Sequence, residues 1–123
     1  MAIGYNPRIV TGGLVFCLDA GNTKSYSSGS RWYDLIGNQN GTISGATHTS
    51  GAGGYFSFDG SNDKITIGSS SSTNLSNGNF TISSWFYIPT SVDSTNLYYW
   101  VFAIGTSSGA SNTWYLRIWR SGI

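Results

Sequence analysis

The strongest constraint on the fold is a two-residue alternation of apolar side chains in "FTISSWFYIP", residues 80–89. Alternate positions fall on opposite faces of an extended chain. The predicted core face carries Phe80, Ile82 and Phe86, and the opposite face carries Trp85 and Tyr87. This period is typical of a half-buried β-strand, and no segment shows the 3.6-residue period of an amphipathic helix. We therefore expect an all-β protein.

Composition supports the same fold class and limits the partners. The chain has 123 residues, enough for one domain, and 17 of them are Gly. Its five acidic residues are all Asp, whereas helical surfaces usually carry Glu. Only 9% of residues are charged and the net charge is +1, so the charge does not favour nucleic-acid binding. No run approaches the ~20 apolar residues of a membrane span, so membrane insertion is not expected.

Further strands are predicted on both sides of this stretch. A mostly buried strand is expected at 14–22 ("LVFCLDAGN"), and a short one around "GTIS" within a loop covering 23–45. The alternating runs "YFSFD" and "KITIG" predict a hairpin over 55–68. The segments 96–105 and 114–120 predict an antiparallel pair. Such strands favour an antiparallel β-sandwich, with a closed barrel as the alternative.

The order of "GLVFCLDAGN", "WYDLIGNQNGT", "FSFDGSNDKITI", "FTISSWFYIPT" and "WYLRI" resembles the laminin-G-like jelly rolls of the concanavalin A-like lectin and glucanase superfamily. The resemblance implies a jelly-roll sandwich over residues 13–123, preceded by an N-terminal arm at 1–12. It also implies binding of carbohydrate or protein on a concave face and rim loops. The family's closing strands have no counterpart here, so either a fragment or a shortened jelly roll with an open edge is expected.

The opening "MAIGYNPRIVTGGLVFCLDAGN" is similar to the start of structural proteins of tailed phages. This resemblance implies a non-catalytic structural or adhesive module of a virion, in the capsid decoration, tail or fibre. The expected partners are other virion subunits or copies of itself, with host-surface polysaccharide as a further candidate. The alternative is a carbohydrate-binding module of a secreted or cell-surface protein.

Catalysis is not expected. Glucanases of the superfamily use paired carboxylates, and no predicted strand bears two acids on one face. Cys17 lies in the apolar run "LVFCL", where a buried thiol is the better interpretation than a nucleophile. The single His, His48, lies in "ATHTS" and is interpreted as a surface-loop residue. We therefore predict no catalytic residues and no cofactor.

The stretch "DGSND" has two interpretations. Asp59, Asn62 and Asp63 carry hard oxygen ligands for Ca²⁺, with Asp34 and Asn38 as further candidates. The same residue types form tight turns by accepting hydrogen bonds from nearby backbone N–H groups. The turn is favoured, and no metal is predicted.

Aromatic side chains are the candidate ligand-binding residues. Trp85 and Tyr87 share the predicted outer face of their strand, and sugar rings stack on such surfaces through their apolar C–H faces. Packing under loops or against another subunit is the competing interpretation. The alternatives to this pair are Trp32, Trp100, Trp114 and Trp119.

Overall fold

A computed structural model of the chain describes residues 11–37, 39–68, 79–89, 98–104 and 114–119. The chain divides into two compact units, Met1–Asn74 and Leu75–Ile123. The described residues contain β-strands in small antiparallel sheets, one 3₁₀ turn and no α-helix, so the fold is all-β.

In chain order, the strands are β1 (Arg31–Trp32), β2 (Gly41–Ser44), β3 (Thr47–Thr49), β4 (Tyr55–Ser57), β5 (Lys64–Ile67), β6 (Tyr98–Ile104) and β7 (Trp114–Trp119). The first unit has a three-stranded sheet in the order β1-β2-β5 and a two-stranded sheet of β3 and β4. The expected strand around "GTIS" is confirmed as β2.

The predicted hairpin over 55–68 is wrong, because its two halves pair with different strands. β4 pairs with β3, with His48 opposite Phe56, whereas β5 pairs with β2, with Ile43 opposite Ile65. The pairs are nested, so β2 and β3 form one arm of a longer interrupted hairpin, and β4 and β5 form the other. Residues 58–63 are an excursion from the second arm rather than the tip.

The hairpin reverses at a 3₁₀ turn, Gly51–Gly53. Ala52, Gly53 and Gly54 all have positive φ there, at 52°, 87° and 81°. Glycine adopts this region readily because it has no Cβ. The "GAGG" sequence therefore makes the tight reversal that was expected of "DGSND".

The strand predicted at 14–22 does not form, because side chains replace the neighbouring strand as hydrogen-bond partners. The Cys17 N–H donates to Asp34 Oδ1 at 2.8 Å, and the Asp19 N–H donates to Ser25 Oγ at 3.1 Å. The Cys17 carbonyl accepts from the Leu35 N–H at 2.9 Å. The segment is therefore held by Ser25, Asp34 and Leu35 rather than by a ladder.

An aromatic cluster of Tyr26, Trp32, His48 and Phe56 packs in the first unit. The Phe56 ring lies 4.7 Å from Trp32 and 4.9 Å from Tyr26 between centroids, and Tyr26 lies 4.5 Å from His48. His48 Nε2 is 2.9 Å from the Ala20 carbonyl oxygen, which can only accept, so Nε2 carries the proton. The surface-loop interpretation of His48 is wrong: it is half-buried in β3.

In the second unit, the predicted antiparallel pair is confirmed as β6 and β7. Its register is shifted between Trp100 and Phe102, which leaves Val101 as the extra residue of a β-bulge.

The strand predicted at 80–89 is wrong, since residues 79–89 have no regular secondary structure. Its expected core residues are exposed: Phe80 at 39%, Ile82 at 41% and Phe86 at 51%. An alternating pattern forms a strand only where another strand supplies its hydrogen bonds.

Candidate functional site

Two large aromatic side chains of the second unit are almost fully exposed. Trp85 is 97% exposed and Tyr87 is 85% exposed, whereas Ile88 is half-buried. Exposed rings of this size are unusual because each one keeps a large apolar area in water. Trp85 and Tyr87, the predicted ligand-binding pair, are therefore available for contact with a partner.

The alternative tryptophans are placed differently. Trp32 is half-buried against Phe56 in the first unit and is part of its packing. Trp100 lies in β6, and Trp114 and Trp119 lie in β7, with side chains outside the described residues. Of the five tryptophans, Trp85 is the one that the structure describes as open to solvent.

The described carboxylates serve the main chain. Each accepts at least one hydrogen bond from a backbone N–H: Asp19, Asp34, Asp59 and Asp63. Backbone N–H groups inside irregular segments need such acceptors, because no ladder satisfies them. Acceptance of these backbone hydrogen bonds therefore explains why the four acids lie in turns and loops. Asp93 lies outside the described residues.

Asp34 has the most extensive of these networks and is only 7% exposed. Its Oδ1 accepts from the Cys17 N–H at 2.8 Å and from the Ile36 N–H at 3.0 Å, and its Oδ2 accepts from the Gln39 N–H at 3.1 Å. Its own N–H donates to Asn40 Oδ1 at 3.0 Å. The carboxylate thus joins the 14–18 segment to the loop that precedes β2.

Ser25 continues this network and is fully buried. Its Oγ donates to the Tyr33 carbonyl oxygen at 2.6 Å and accepts from the Asp19 N–H at 3.1 Å. Its own carbonyl oxygen accepts from the Tyr33 N–H at 2.7 Å. Sequence reasoning missed both Ser25 and the structural role of Asp34. The available signal was the density of Asp, Asn and Ser in "LDAGNTKS" and "YDLIGNQN", which favours local side-chain caps.

The turn interpretation of "DGSND" is supported by its hydrogen bonds. Asp63 Oδ2 accepts from the Asp59 N–H at 2.9 Å, and Asp59 Oδ1 accepts from the Ser61 N–H at 2.8 Å. Asp63 Oδ1 also lies so close to Gly45 that a Cβ at that position would collide with it. Both carboxylates therefore shape the excursion between β4 and β5.

Of the other residues considered for calcium, Asp34 does not join Asp59 and Asp63 in a group that could hold a metal ion. Asn62 is exposed in the same excursion, and Asn38 lies outside the described residues. Within the described ranges, no three His, Cys, Asp or Glu side chains are grouped so that they could hold a metal ion. The prediction that no metal binds remains a prediction.

Cys17 is half-buried and is a free thiol. Burial raises the pKa of the Cys17 thiol above its ordinary value, and the nearby charges of Asp19 and Asp34 raise it further. A nucleophilic cysteine needs the opposite shift, because the thiolate is the reactive form. The electrostatics of this position therefore favour an unreactive, protonated thiol.

Comparisons of this chain with protein-family models, curated proteins and solved structures found no match. A search for membrane-spanning helices among the described residues also found none of sufficient length and hydropathy.

Proposed function

We propose that this protein is a non-catalytic structural and adhesive module of a phage virion, built as a laminin-G-like β-sandwich. Its partners are other virion subunits or further copies of itself, and Trp85 and Tyr87 contact surface polysaccharide. The observation that carries the adhesive part is the exposure of these two rings, at 97% and 85%. A ring in water gains free energy when it stacks on the apolar face of a sugar.

The use of the carboxylates supports the non-catalytic part of the proposal. Hydrolysis of a glycosidic bond needs two carboxyl groups facing one another across the substrate. Asp34 and Asp63 instead accept backbone hydrogen bonds, and the Asp34 carboxylate is nearly closed to solvent. The virion assignment rests on the resemblance of the first 22 residues to phage structural proteins.

Polysaccharide binding tests the adhesive part. The full chain is titrated with a panel of bacterial surface polysaccharides while tryptophan fluorescence is recorded. We expect Trp85→Ala and Tyr87→Ala each to weaken binding roughly tenfold, equivalent to about 1.4 kcal/mol. Tyr55→Ala is the matched control, because Tyr55 is also exposed, at 48%, but belongs to β4. Equal losses in all three variants, or no binding by the wild-type chain, would contradict the proposal.

A carbohydrate-binding module of a secreted or cell-surface protein is the second candidate, favoured by the same exposed rings. The two candidates differ in where the protein resides. Mass spectrometry of purified phage particles from a culture that carries the gene should detect the chain in the particles. Its presence only in the culture medium or on the cell surface, with polysaccharide binding retained, would favour the second candidate.

A further inference from the structure

Residues 81–87 combine the sequence of a strand with the environment of a surface segment. All seven side chains of "TISSWFY" are exposed, including Ile82 at 41% and Phe86 at 51%. The segment lies in no strand of the structure, although its apolar residues alternate. Exposed apolar side chains on a segment that belongs to no sheet are features of an edge that can pair with another strand.

The order of side chains makes this segment complementary to itself. If two copies run antiparallel about a two-fold axis at Ser84, Ile82 of each copy lies opposite Phe86 of the other, and the two Ser84 residues face one another. On the opposite face, Ser83 lies opposite Trp85, and Thr81 lies opposite Tyr87. Trp85 and Tyr87 are thus each paired with a small side chain, and Ile82 is paired with the apolar Phe86. Opposite residues of antiparallel strands are the pairs that stabilise a sheet.

We propose that residues 81–87 form an intermolecular antiparallel strand pair with the same segment of a second copy, centred on Ser84. The inference deepens one part of the proposed function, the association with further copies of itself, and its tests do not depend on whether the protein belongs to a virion. Both faces of the pair follow from the register. Ile82, Ser84 and Phe86 of both copies share one face, while Trp85 and Tyr87 of both copies share the other and form one larger aromatic surface.

The register is the reason to choose a second copy as the partner, and the charge and chain geometry of the segment are compatible with it. The segment has no charged residue, so self-pairing opposes no like charges. Pro89 follows directly after Ile88 and cannot donate a ladder hydrogen bond, so the pair cannot extend far in that direction. An isologous contact of this kind uses the same patch on both copies and closes as a dimer instead of growing into a fibre.

Cysteine cross-linking tests the register directly. Ser84→Cys and Ser83→Cys are introduced into the full chain in a Cys17→Ser background and oxidised with oxidised glutathione. Directly opposed residues of paired strands lie about 4.5–5.5 Å apart between Cα atoms, within the range of a disulfide. We expect Ser84→Cys to form a covalent dimer several-fold more efficiently than Ser83→Cys, which faces Trp85. Equal cross-linking of the two variants would overturn the register.

Sedimentation equilibrium gives a second, independent test. Ser84→Lys places two like charges directly opposite one another at the axis, so this variant should be a monomer where the wild-type chain is a dimer. Ser28→Lys makes the same substitution at an exposed loop position of the first unit and should remain a dimer. A monomeric wild-type chain at tens of micromolar, or a dimeric Ser84→Lys variant, would refute the proposal. Failure to bind polysaccharide would leave this proposal intact.

Discussion

Asp34 shows at the residue scale how a loop-rich chain can be organised without long ladders. Its carboxylate is nearly closed to solvent and accepts hydrogen bonds from the backbone of Cys17, Ile36 and Gln39. Two of these donors lie within five residues of Asp34, but Cys17 is 17 residues away. The Asp34 carboxylate therefore supplies the Cys17 N–H with the acceptor that a neighbouring strand would otherwise supply.

Substitution of Asp34 should be costly because it leaves buried N–H groups without an acceptor. We expect Asp34→Ala to lower the free energy of unfolding by about 3 kcal/mol. Asp34→Asn should lower it by roughly half as much, since one oxygen remains as an acceptor. Urea unfolding followed by circular dichroism measures both. The control is Asp19→Ala, which removes an exposed acceptor of the Gly21 N–H and should cost less than about 1 kcal/mol. Equal losses for Asp19→Ala and Asp34→Ala would contradict this account.

The Cys17 thiol predicts a pH dependence at the alkaline end. Because its pKa is raised in the folded chain, the unfolded chain releases the thiol proton first as the pH rises. The folded state then binds more protons than the unfolded state, so this thiol's contribution to stability is complete at neutral pH and declines above about pH 8.5. We expect Cys17→Ser to have a shallower alkaline decline than wild type in urea unfolding under reducing conditions. If the free energy of unfolding falls with pH equally in both proteins, the thiol does not contribute to the alkaline decline.

At the scale of the elements, the interrupted hairpin of β2 to β5 organises the first unit. Its register places Ile43 opposite Ile65, and Ile43 is the described hydrophobic residue with the lowest exposure, at 9%. The six-residue excursion at 58–63 faces only two residues, Gly45 and Ala46, on the other arm. Because the excursion is longer than the segment that faces it, the pairing is interrupted there, and β4 and β5 belong to different sheets. Asp59 and Asp63 hold the excursion in shape through their backbone hydrogen bonds.

In the β1-β2-β5 sheet, replacing a buried isoleucine with Ala should lower the free energy of unfolding more than replacing an exposed one. We expect Ile43→Ala to lower the free energy of unfolding by about 3 kcal/mol, through lost burial and the cavity left behind. Ile67→Ala is the matched control, since Ile67 lies in β5 of the same sheet but is 38% exposed. Its loss should be below about 1.5 kcal/mol. Urea unfolding measures both, and a larger loss at Ile67 would show that the burial assignment is wrong.

At the scale of the whole molecule, low charge limits what can drive the association that we propose. Only 9% of residues are charged and the net charge is +1, so long-range attraction contributes little to binding. Association through Trp85 and Tyr87 should instead depend on apolar contact, which salt does not screen. We expect polysaccharide affinity to change less than about twofold between about 0.05 and about 0.5 M salt. A steep fall, measured by the same fluorescence titration, would point to charged contacts elsewhere.

The sequence alone determined which local conformations were available. Alternation with a Gly and Ser loop between the segments identified β6 and β7, and "GTIS" identified β2. Local pattern was sufficient there because strands close in sequence need only a short turn to pair. The absence of an amphipathic pattern also indicated a chain without long helices. Trp85 and Tyr87 are exposed, but so are Ile82 and Phe86 of the expected core face, so the alternation did not separate an inner face from an outer one in this stretch.

Only the tertiary structure decided which segments pair and which acceptors satisfy the remaining backbone groups. β4 and β5 have the expected alternation, but their partners are β3 and β2, because hydrogen bonds between strands depend on what lies beside them in space. The same reason explains residues 80–89, whose strand pattern has no ladder to join. The apolar run at 14–18 likewise bonds to Asp34 and Ser25 instead of to a strand. A buried N–H needs an acceptor of any kind, and sequence periodicity does not reveal whether a strand or a side chain provides it.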